Sequence, residues 1–289
     1  MIWMKKIAKH VNYNEEQMEI SIAQRTGGYH PHGRYVLNIN NNSNIRMAIY
    51  GDSFGDGGQY KMSGVANMGN WWPNVLANRL QINSIDNYCA GGTPFMFTYN
   101  SFMNNYKNYD INIVLVTDPG RYTQPLVLRS VSPNEKYHCS NLKNCDELLS
   151  RYKLTTTEQK IVDDIKTWHM VKDDDFMSTA QLLMVNEILR ASPKTIIIPC
   201  FKRSAPFLNV GLQDLQLYQL QSLGITDDNQ MAKYEEKPEI IGCHFTPEMN
   251  RVVADVVFSR ILTGEWNWNF PKIKHEHPLE YYYDKKENE

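Results

Sequence analysis

The fold is decided by the stretch Met47-Ala48-Ile49-Tyr50-Gly51-Asp52-Ser53-Phe54. A short apolar run broken by Gly51-Asp52 is typical of a buried strand that ends in a loop. In open α/β sheets, ligands bind at the edge where the carboxyl ends of the strands lie. The stretch therefore predicts that the hydroxyl of Ser53 is presented at that edge.

Strand and helix patterns alternate downstream of this stretch. Short apolar runs predict further strands at 84–88, 111–116 and 195–199. Apolar residues at helical spacing predict helices at 71–80, 95–106, 155–170, 174–189 and 212–223. Because strands that alternate with helices form parallel sheets, we expect an α/β domain with a parallel sheet.

The two ends of the chain differ from this central pattern. Residues 1–45 are polar and rich in Asn and predict an irregular arm, and residues 265–289 form a tail of aromatic and charged residues without a clear period. The main domain is then 46–264. Within it, 122–152 contains Pro125 and Pro133 and shows no clean period, which predicts a long excursion over the active edge.

Composition bounds the class of protein. A chain of 289 residues with 42% hydrophobic content can bury the core of one main domain. The net charge of −2, with no Lys/Arg run, argues against a nucleic-acid partner. No leader-like apolar segment opens the chain, and no run of about 18 apolar residues occurs, so we expect no membrane span. The expectation is a soluble protein, cytoplasmic or virion-associated, and the oligomeric state stays open.

The cysteines do not suggest a disulfide framework. Their number is five, which is odd, and they are widely spread, so reduced and buried thiols are expected. Cys139 and Cys145, with the adjacent His138, match no common zinc spacing, and a fourth ligand is not evident. No metal and no cofactor is therefore expected.

A histidine precedes the last predicted helix. Thr246 is a typical N-cap residue, Pro247 suits the first helical position, and Gly264 marks the end of the helix. His244 lies just before this helix, whose start can return it to the carboxyl edge of the sheet.

Several residues that hydrolysis by a nucleophilic serine needs occur in loops predicted at the carboxyl edge of the sheet. A serine attacks carbonyls only when a base takes its proton and donors stabilise the oxyanion. Ser53, Gly91 and Thr117 each follow a predicted strand, and His244 precedes the last helix. Each signal alone is weak, because Gly-Asp dipeptides usually make turns and a lone histidine is usually a surface or capping residue. Their order and placement together favour a hydrolytic site.

These motifs resemble the four blocks of the SGNH, or GDSL-like, hydrolase family. The run Gly51-Asp52-Ser53-Phe54 is similar to the first block, Asn87-Tyr88-Cys89-Ala90-Gly91-Gly92-Thr93 to the second, and the run from Cys243 to Asn250 to the last. The resemblance covers about 47–264. It implies a three-layer α/β/α fold with a central, mainly parallel, flavodoxin-like sheet. It also implies that Ser53 is the nucleophile and His244 its base.

The resemblance further implies an oxyanion hole and shows two departures from the family pattern. Ser53, Gly91 and Thr117 would form the hole, with Thr117 in place of the usual asparagine. A lost donor costs about 3 kcal/mol of transition-state stabilisation. The aspartate usually found three residues before the histidine is replaced by Ile241.

Four further residues are expected to support the site. Asp52 would pin the nucleophile loop by accepting backbone hydrogen bonds, and Asp118 follows Thr117 in the third block. Arg121 could compensate with charge for the missing asparagine. A backbone carbonyl or an acid such as Glu239 would orient the histidine.

The resemblance implies a serine ester hydrolase without a cofactor. The expected substrate is a small ester or an acetylated carbohydrate, which makes the protein an esterase or a carbohydrate O-deacetylase. Two alternatives stay open at this point. One is a catalytically impaired glycan-binding or structural protein with the same fold, and the other is an O-acyltransferase, in which a sugar replaces water as the acceptor.

Overall fold

The structure is a computed structural model, and it describes residues 20–22, 33–37, 44–56, 71–82, 84–121, 128–131, 142–201, 211–216 and 245–267. The strands in these ranges are β1 (Ile20–Ile22), β2 (Gly33–Leu37), β3 (Met47–Gly51), β4 (Ser84–Cys89), β5 (Ile111–Val116) and β6 (Ile196–Pro199). The longer helices are α1 (Trp72–Arg79), α2 (Phe95–Asn105), α3 (Leu142–Arg151), α4 (Thr156–Val171), α5 (Asp174–Ala191) and α6 (Pro247–Thr263).

The strands form one sheet with the order β1-β2-β4-β3-β5-β6. β4, β3, β5 and β6 run parallel, whereas β2 pairs with β4, and β1 with β2, in antiparallel orientation. Counted along the chain, the parallel strands have the order 2-1-3-4, which is the order of flavodoxin-like sheets. In such sheets the order reverses beside the first parallel strand. The ligand crevice expected at such a switch point therefore lies at the carboxyl ends of β3 and β5.

Helices cover both faces of the parallel strands. Met47 and Ile49 of β3 belong to the core under α1 and α6. Ala48 and Tyr50, which alternate with them, belong to the core under α2 and α5. Successive side chains of a strand point to opposite faces, and both faces of β3 are covered by helices. β3 is therefore apolar throughout, and all five of its residues are buried. The protein thus has an α/β fold with a parallel sheet between two helical layers.

A third, smaller core joins two of the helices that follow β5. It contains Cys145 and Leu148 of α3 and Val162 and Ile165 of α4, together with Leu128. α4 begins at a capping box, because Thr155 accepts from the backbone N–H of Glu158 and Glu158 accepts from that of Thr155.

The predicted strands and helices of the central part are confirmed in type and approximate place. The helix predicted at 212–223 is confirmed for 212–216, and its remainder lies outside the described residues. In the part of the chain that the structure describes, no helix is both long enough and apolar enough to cross a membrane. The buried cysteines expected from the sequence are confirmed for Cys89, Cys145 and Cys200, which are free thiols.

Two sequence predictions were wrong in part. Residues 1–45 were expected to be irregular, but Ile20–Ile22 and Gly33–Leu37 are strands of the sheet. Short strands such as these depend on pairing with their neighbours, which local composition does not reveal. The excursion at 122–152 contains a helix, Leu142–Arg151. Its apolar residues Cys145, Leu148 and Leu149 recur at helical spacing, and the sequence interpretation missed this period.

Candidate functional site

Ser53 lies in a tight turn directly after β3. The backbone N–H of Gly55 donates to the carbonyl oxygen of Asp52 at 3.1 Å, and that of Asp56 donates to the carbonyl oxygen of Ser53 at 3.3 Å. Asp52 and Phe54 are buried, whereas Ser53 between them is partly exposed. The turn therefore presents Ser53 at the carboxyl end of β3, as the sequence predicted.

Close packing beneath the turn requires glycine at two positions. A Cβ atom on Gly51 would lie 2.5 Å from Cβ of Leu115, and one on Gly55 would lie 2.5 Å from Sγ of Cys89. Real Cβ atoms do not approach other atoms this closely. The turn after β3 is thus packed against β5 on one side and β4 on the other.

The carboxylate of Asp52 is the centre of a buried polar cluster. Asp52 is fully buried, and its Oδ1 accepts the backbone N–H of Phe54 at 3.1 Å. Its Oδ2 accepts the hydroxyl of Thr117 at 2.6 Å and lies 3.3 Å from Nη1 of Arg121. A buried charge is tolerated when it is paired and hydrogen-bonded. Asp52 therefore connects the turn after β3 to the loop that follows β5.

Cys200 extends this cluster to the end of β6. Its thiol donates to Oδ1 of Asp52 at 3.5 Å. Burial, and after it the negative charge of Asp52, raises the pKa of the Cys200 thiol well above its ordinary value. The thiol consequently keeps its proton and acts as a donor, not as a nucleophile.

Arg121 joins three loops of the carboxyl edge. Besides its ion pair with Asp52, its Nη1 donates to the carbonyl oxygen of Thr93 at 3.1 Å. Its guanidinium carbon also lies 5.1 Å from the ring centroid of Phe201, at a distance suited to a cation–π contact. Its charge is thus directed at Asp52.

Thr117 and Asp118 make local contacts in the loop after β5. Thr117 is fully buried, its one O–H is donated to Asp52, and its carbonyl oxygen accepts from Nε2 of Gln181 at 2.7 Å. Asp118 accepts the backbone N–H of Gly120 at 2.7 Å. The hydroxyl of Thr117, expected to face an oxyanion, donates to Asp52 beneath the turn after β3.

The loop after β4 is held against the turn that follows β3. The backbone N–H of Ala90 donates to the carbonyl oxygen of Gly51 at 3.1 Å. The hydroxyl of Thr93 donates to the carbonyl oxygen of Ala90 at 2.7 Å. The next N–H, that of Gly91, donates to Oδ2 of Asp56 at 2.9 Å. The structure thus brings Ser53 and Gly91 onto neighbouring loops.

His244 and Glu239 lie outside the described residues. The described chain resumes at Phe245, which is buried, and the centroid of its ring lies 5.7 Å from that of Phe54. Phe201 also contacts Phe54, at 5.6 Å between centroids. The residue after His244 therefore packs against the residue after Ser53.

Asn250 fixes the start of α6 to the start of α1. It is fully buried, and its Oδ1 accepts the backbone N–H of Trp72 at 2.9 Å. Its Nδ2 donates to the carbonyl oxygens of Phe245 at 3.2 Å and Thr246 at 2.9 Å. The predicted N-cap is confirmed, because Thr246 Oγ1 accepts the backbone N–H of Met249 at 3.2 Å. The chain segment that follows His244 is thus held by both a cap and a side-chain amide.

Sequence reasoning missed the roles of three polar residues. Asn250 and Asp56 give no local signal beyond being polar residues, and Cys200 was expected only to fill space. The one available signal was Asn250 on the apolar face of an otherwise Val-rich helix, where a buried amide must find partners.

No cluster of three potential metal ligands occurs among the described residues. Of the three residues considered for zinc, Cys145 lies in the apolar core between α3 and α4, and Cys139 and His138 lie outside the described ranges. Cys145 is thus packed among aliphatic side chains.

Comparison of the chain with protein-family models, curated proteins and solved structures found no match.

Proposed function

We propose that this protein is a serine hydrolase of the SGNH type. Ser53 follows the first parallel strand, at the switch point of a sheet with the flavodoxin-like order. A loop with a backbone donor, that of Gly91, lies beside it. Within this class, we propose an esterase or carbohydrate O-deacetylase that acts on a small ester or an acetylated sugar.

The observation that carries the proposal is the contact between Phe54 and Phe245. The two rings lie 5.7 Å apart between centroids, and each residue directly follows one member of the proposed pair. Because consecutive Cα atoms are about 3.8 Å apart, each residue of the proposed pair is one short step along the chain from a ring of this contact. The proposal requires that the imidazole of His244 reaches the hydroxyl of Ser53.

The proposed reaction has two halves. His244 takes the proton of the Ser53 hydroxyl while the oxygen forms a bond to the acyl carbon. The protonated histidine then gives this proton to the alcohol oxygen as the ester bond breaks, which leaves an acyl-enzyme. Water repeats the sequence with His244 as its base, releases the acid and restores Ser53.

Backbone donors support the negative oxygen in both halves. The N–H groups of Ser53 and Gly91 are the proposed pair, because peptide N–H groups on fixed loops need little reorganisation. Thr117 does not enter this set while its hydroxyl is donated to Asp52. Asp52 and Arg121 act as positioning residues that hold the loops on which these donors lie.

A second candidate function is glycan binding without turnover. Two observations favour it, namely that Thr117 donates to Asp52 and that Gly91 donates to Asp56. Two of the three potential oxyanion donors, Gly91 and Thr117, thus donate within the protein. A site of this kind would bind an acetylated sugar without hydrolysing it.

Labelling and turnover separate the two candidates. The parent protein and the variants Ser53→Ala and His244→Ala are treated with a fluorophosphonate probe and assayed on p-nitrophenyl esters and acetylated sugars. We expect labelling and hydrolysis by the parent, and a loss of at least about 10³-fold in kcat for each variant. Ser150→Ala, an exposed serine on α3, is the matched control and should behave like the parent.

The combined variant adds a second criterion. Because a nucleophile and its base act as a unit, Ser53→Ala/His244→Ala should lose about as much activity as either single variant. Absence of both labelling and product release, in the parent and in every variant that keeps Ser53, would refute the hydrolase proposal. Retained binding of acetylated sugars in that case would favour the second candidate.

A further inference from the structure

The contact between Asp56 and Gly91 has a specific geometry. The backbone N–H of Gly91 donates to Oδ2 of Asp56 at 2.9 Å. Asp56 is the residue that closes the turn after β3, since its own N–H donates to the carbonyl oxygen of Ser53 at 3.3 Å. A carboxylate three positions after the proposed nucleophile thus accepts from the proposed oxyanion donor.

Of these two partners, the Gly91 side is held in place by its surroundings. The preceding residue, Ala90, donates its N–H to Gly51 at 3.1 Å, and the N–H of Thr93 donates to the carbonyl oxygen of Ala90 at 3.3 Å. The hydroxyl of Thr93 donates to the same oxygen at 2.7 Å. The direction of the Gly91 N–H is therefore set by the loop.

The Asp56 side can change by rotation of a side chain. Asp56 is only partly buried, in contrast to Asp52, which is fully buried. A carboxylate at a partly exposed position loses less solvation when it rotates than a buried one would. Release of the Gly91 N–H thus needs a rotamer change of Asp56.

An ester substrate requires this release. A single N–H makes one strong hydrogen bond, so the acyl oxygen and the Asp56 carboxylate compete for it. Two negative oxygens at one donor also repel each other, and this disfavours the tetrahedral intermediate while Asp56 stays in place.

We propose that Asp56 is an internal competitor for the oxyanion donor, so that the substrate reacts only after Asp56 has turned away from Gly91. This inference rests on the proposed hydrolase function. The described arrangement is then the closed state of the site. The apparent rate is proportional to the fraction of molecules in the open state. A closed state populated at about 90% therefore slows the reaction about tenfold.

Two substitutions at this position separate competition from a structural role. Asp56→Ala removes the acceptor, and Asp56→Asn removes the charge but keeps an oxygen that can accept from Gly91. Competition predicts that reactivity rises in the order parent, Asn variant, Ala variant. A carboxylate that merely anchors the Gly91 loop predicts the opposite order, because its loss would leave the oxyanion donor less fixed.

The measurement is the second-order rate of Ser53 labelling by a fluorophosphonate, together with kcat/KM on p-nitrophenyl acetate and the Tm of each protein. We expect Asp56→Ala to react about tenfold faster or more, with a Tm at or below that of the parent. A protein that loses a hydrogen bond and yet gains reactivity does not fit a purely structural role. The control is Asp110→Ala, which removes a carboxylate that accepts the N–H of Arg46 at 2.9 Å at the opposite edge of the sheet.

Each outcome decides between the proposals. Faster labelling of Asp56→Ala supports the inference, including the case in which the parent is unlabelled. Labelling of the parent at Ser53 with equal or slower labelling of Asp56→Ala overturns the inference and leaves the hydrolase proposal intact. No Ser53 labelling in the parent or either variant refutes the hydrolase proposal, and the inference falls with it.

Discussion

Replacement of Asn250 by alanine is the most informative test of how the proposed base, His244, is positioned. Its amide accepts the backbone N–H of Trp72 at 2.9 Å and donates to the carbonyl oxygens of Phe245 and Thr246. Asn250 is fully buried, so water does not replace the hydrogen bonds that the substitution removes. Asn250→Ala therefore leaves the N–H of Trp72 without this acceptor.

The size of the effect follows from these contacts. A buried donor left without a partner costs about 1–3 kcal/mol, and each lost neutral hydrogen bond contributes about 1 kcal/mol. We expect a loss of about 2–4 kcal/mol in the free energy of unfolding. For a domain of this size, that corresponds to a Tm lower by roughly 5–15 °C.

Activity should fall for a separate reason. Asn250 holds Phe245, and Phe245 packs on Phe54 beside Ser53, so its loss loosens the chain next to His244. Small displacements of a catalytic group cost about 10–100-fold in rate, and we expect a fall of this size in kcat at 20 °C below the new Tm.

Thermal unfolding followed by circular dichroism gives the Tm, and hydrolysis of p-nitrophenyl acetate gives kcat. Asn186→Ala, at an exposed position of α5, is the control and should change the free energy of unfolding by less than about 0.5 kcal/mol. A Tm of Asn250→Ala within 2 °C of the parent would contradict the structural argument. A lowered Tm with an unchanged kcat would contradict the link to His244.

Three further substitutions test single contacts. Thr117→Val should lower the free energy of unfolding by about 1.5–3 kcal/mol, because Asp52 loses a donor, and should lower kcat less than tenfold. A hundredfold fall in kcat at unchanged Tm would show instead that Thr117 serves the oxyanion. Hydrogen bonds from Ser130 and Thr155 lower the pKa of Glu158 to about 2, so its stabilisation is complete above pH 4.5 and is lost as the pH falls toward 2. The Tm deficit of Glu158→Gln should accordingly be large at pH 7 and small at pH 2, and an equal deficit at both values would contradict this. Gly55→Ala should cost about 1–3 kcal/mol, because its Cβ would meet Cys89, and urea unfolding measures this loss.

Much of the central fold could be predicted because its signals are local. β3 and β5 are short apolar runs, and α6 carries its own N-cap at Thr246 and its own stop at Gly264, where φ is 80°. Such signals need no knowledge of what packs against them. The sequence therefore predicted the parallel sheet and the place of Ser53 at its edge.

The two antiparallel strands and the details of the site depend on contacts between distant residues. β1 and β2 are strands because they pair with each other and with β4. The hydrogen bond between Thr117 and Asp52 joins residues 65 positions apart, and that between Trp72 and Asn250 joins residues 178 apart. No local pattern specifies these pairs, so the sequence could suggest the residues of the site but not their partners.

The contacts of Thr117 change how its departure from the family pattern is understood. From the sequence, threonine in place of asparagine is a shortened oxyanion donor. In the structure its hydroxyl and Arg121 both contact the same oxygen of Asp52, so this position supports the turn that carries Ser53. If the protein hydrolyses esters, the oxyanion must then depend on backbone N–H groups, chiefly those of Ser53 and Gly91. A site with fewer donors is more sensitive to competition for each one, which makes the carboxylate of Asp56 the residue expected to limit its rate.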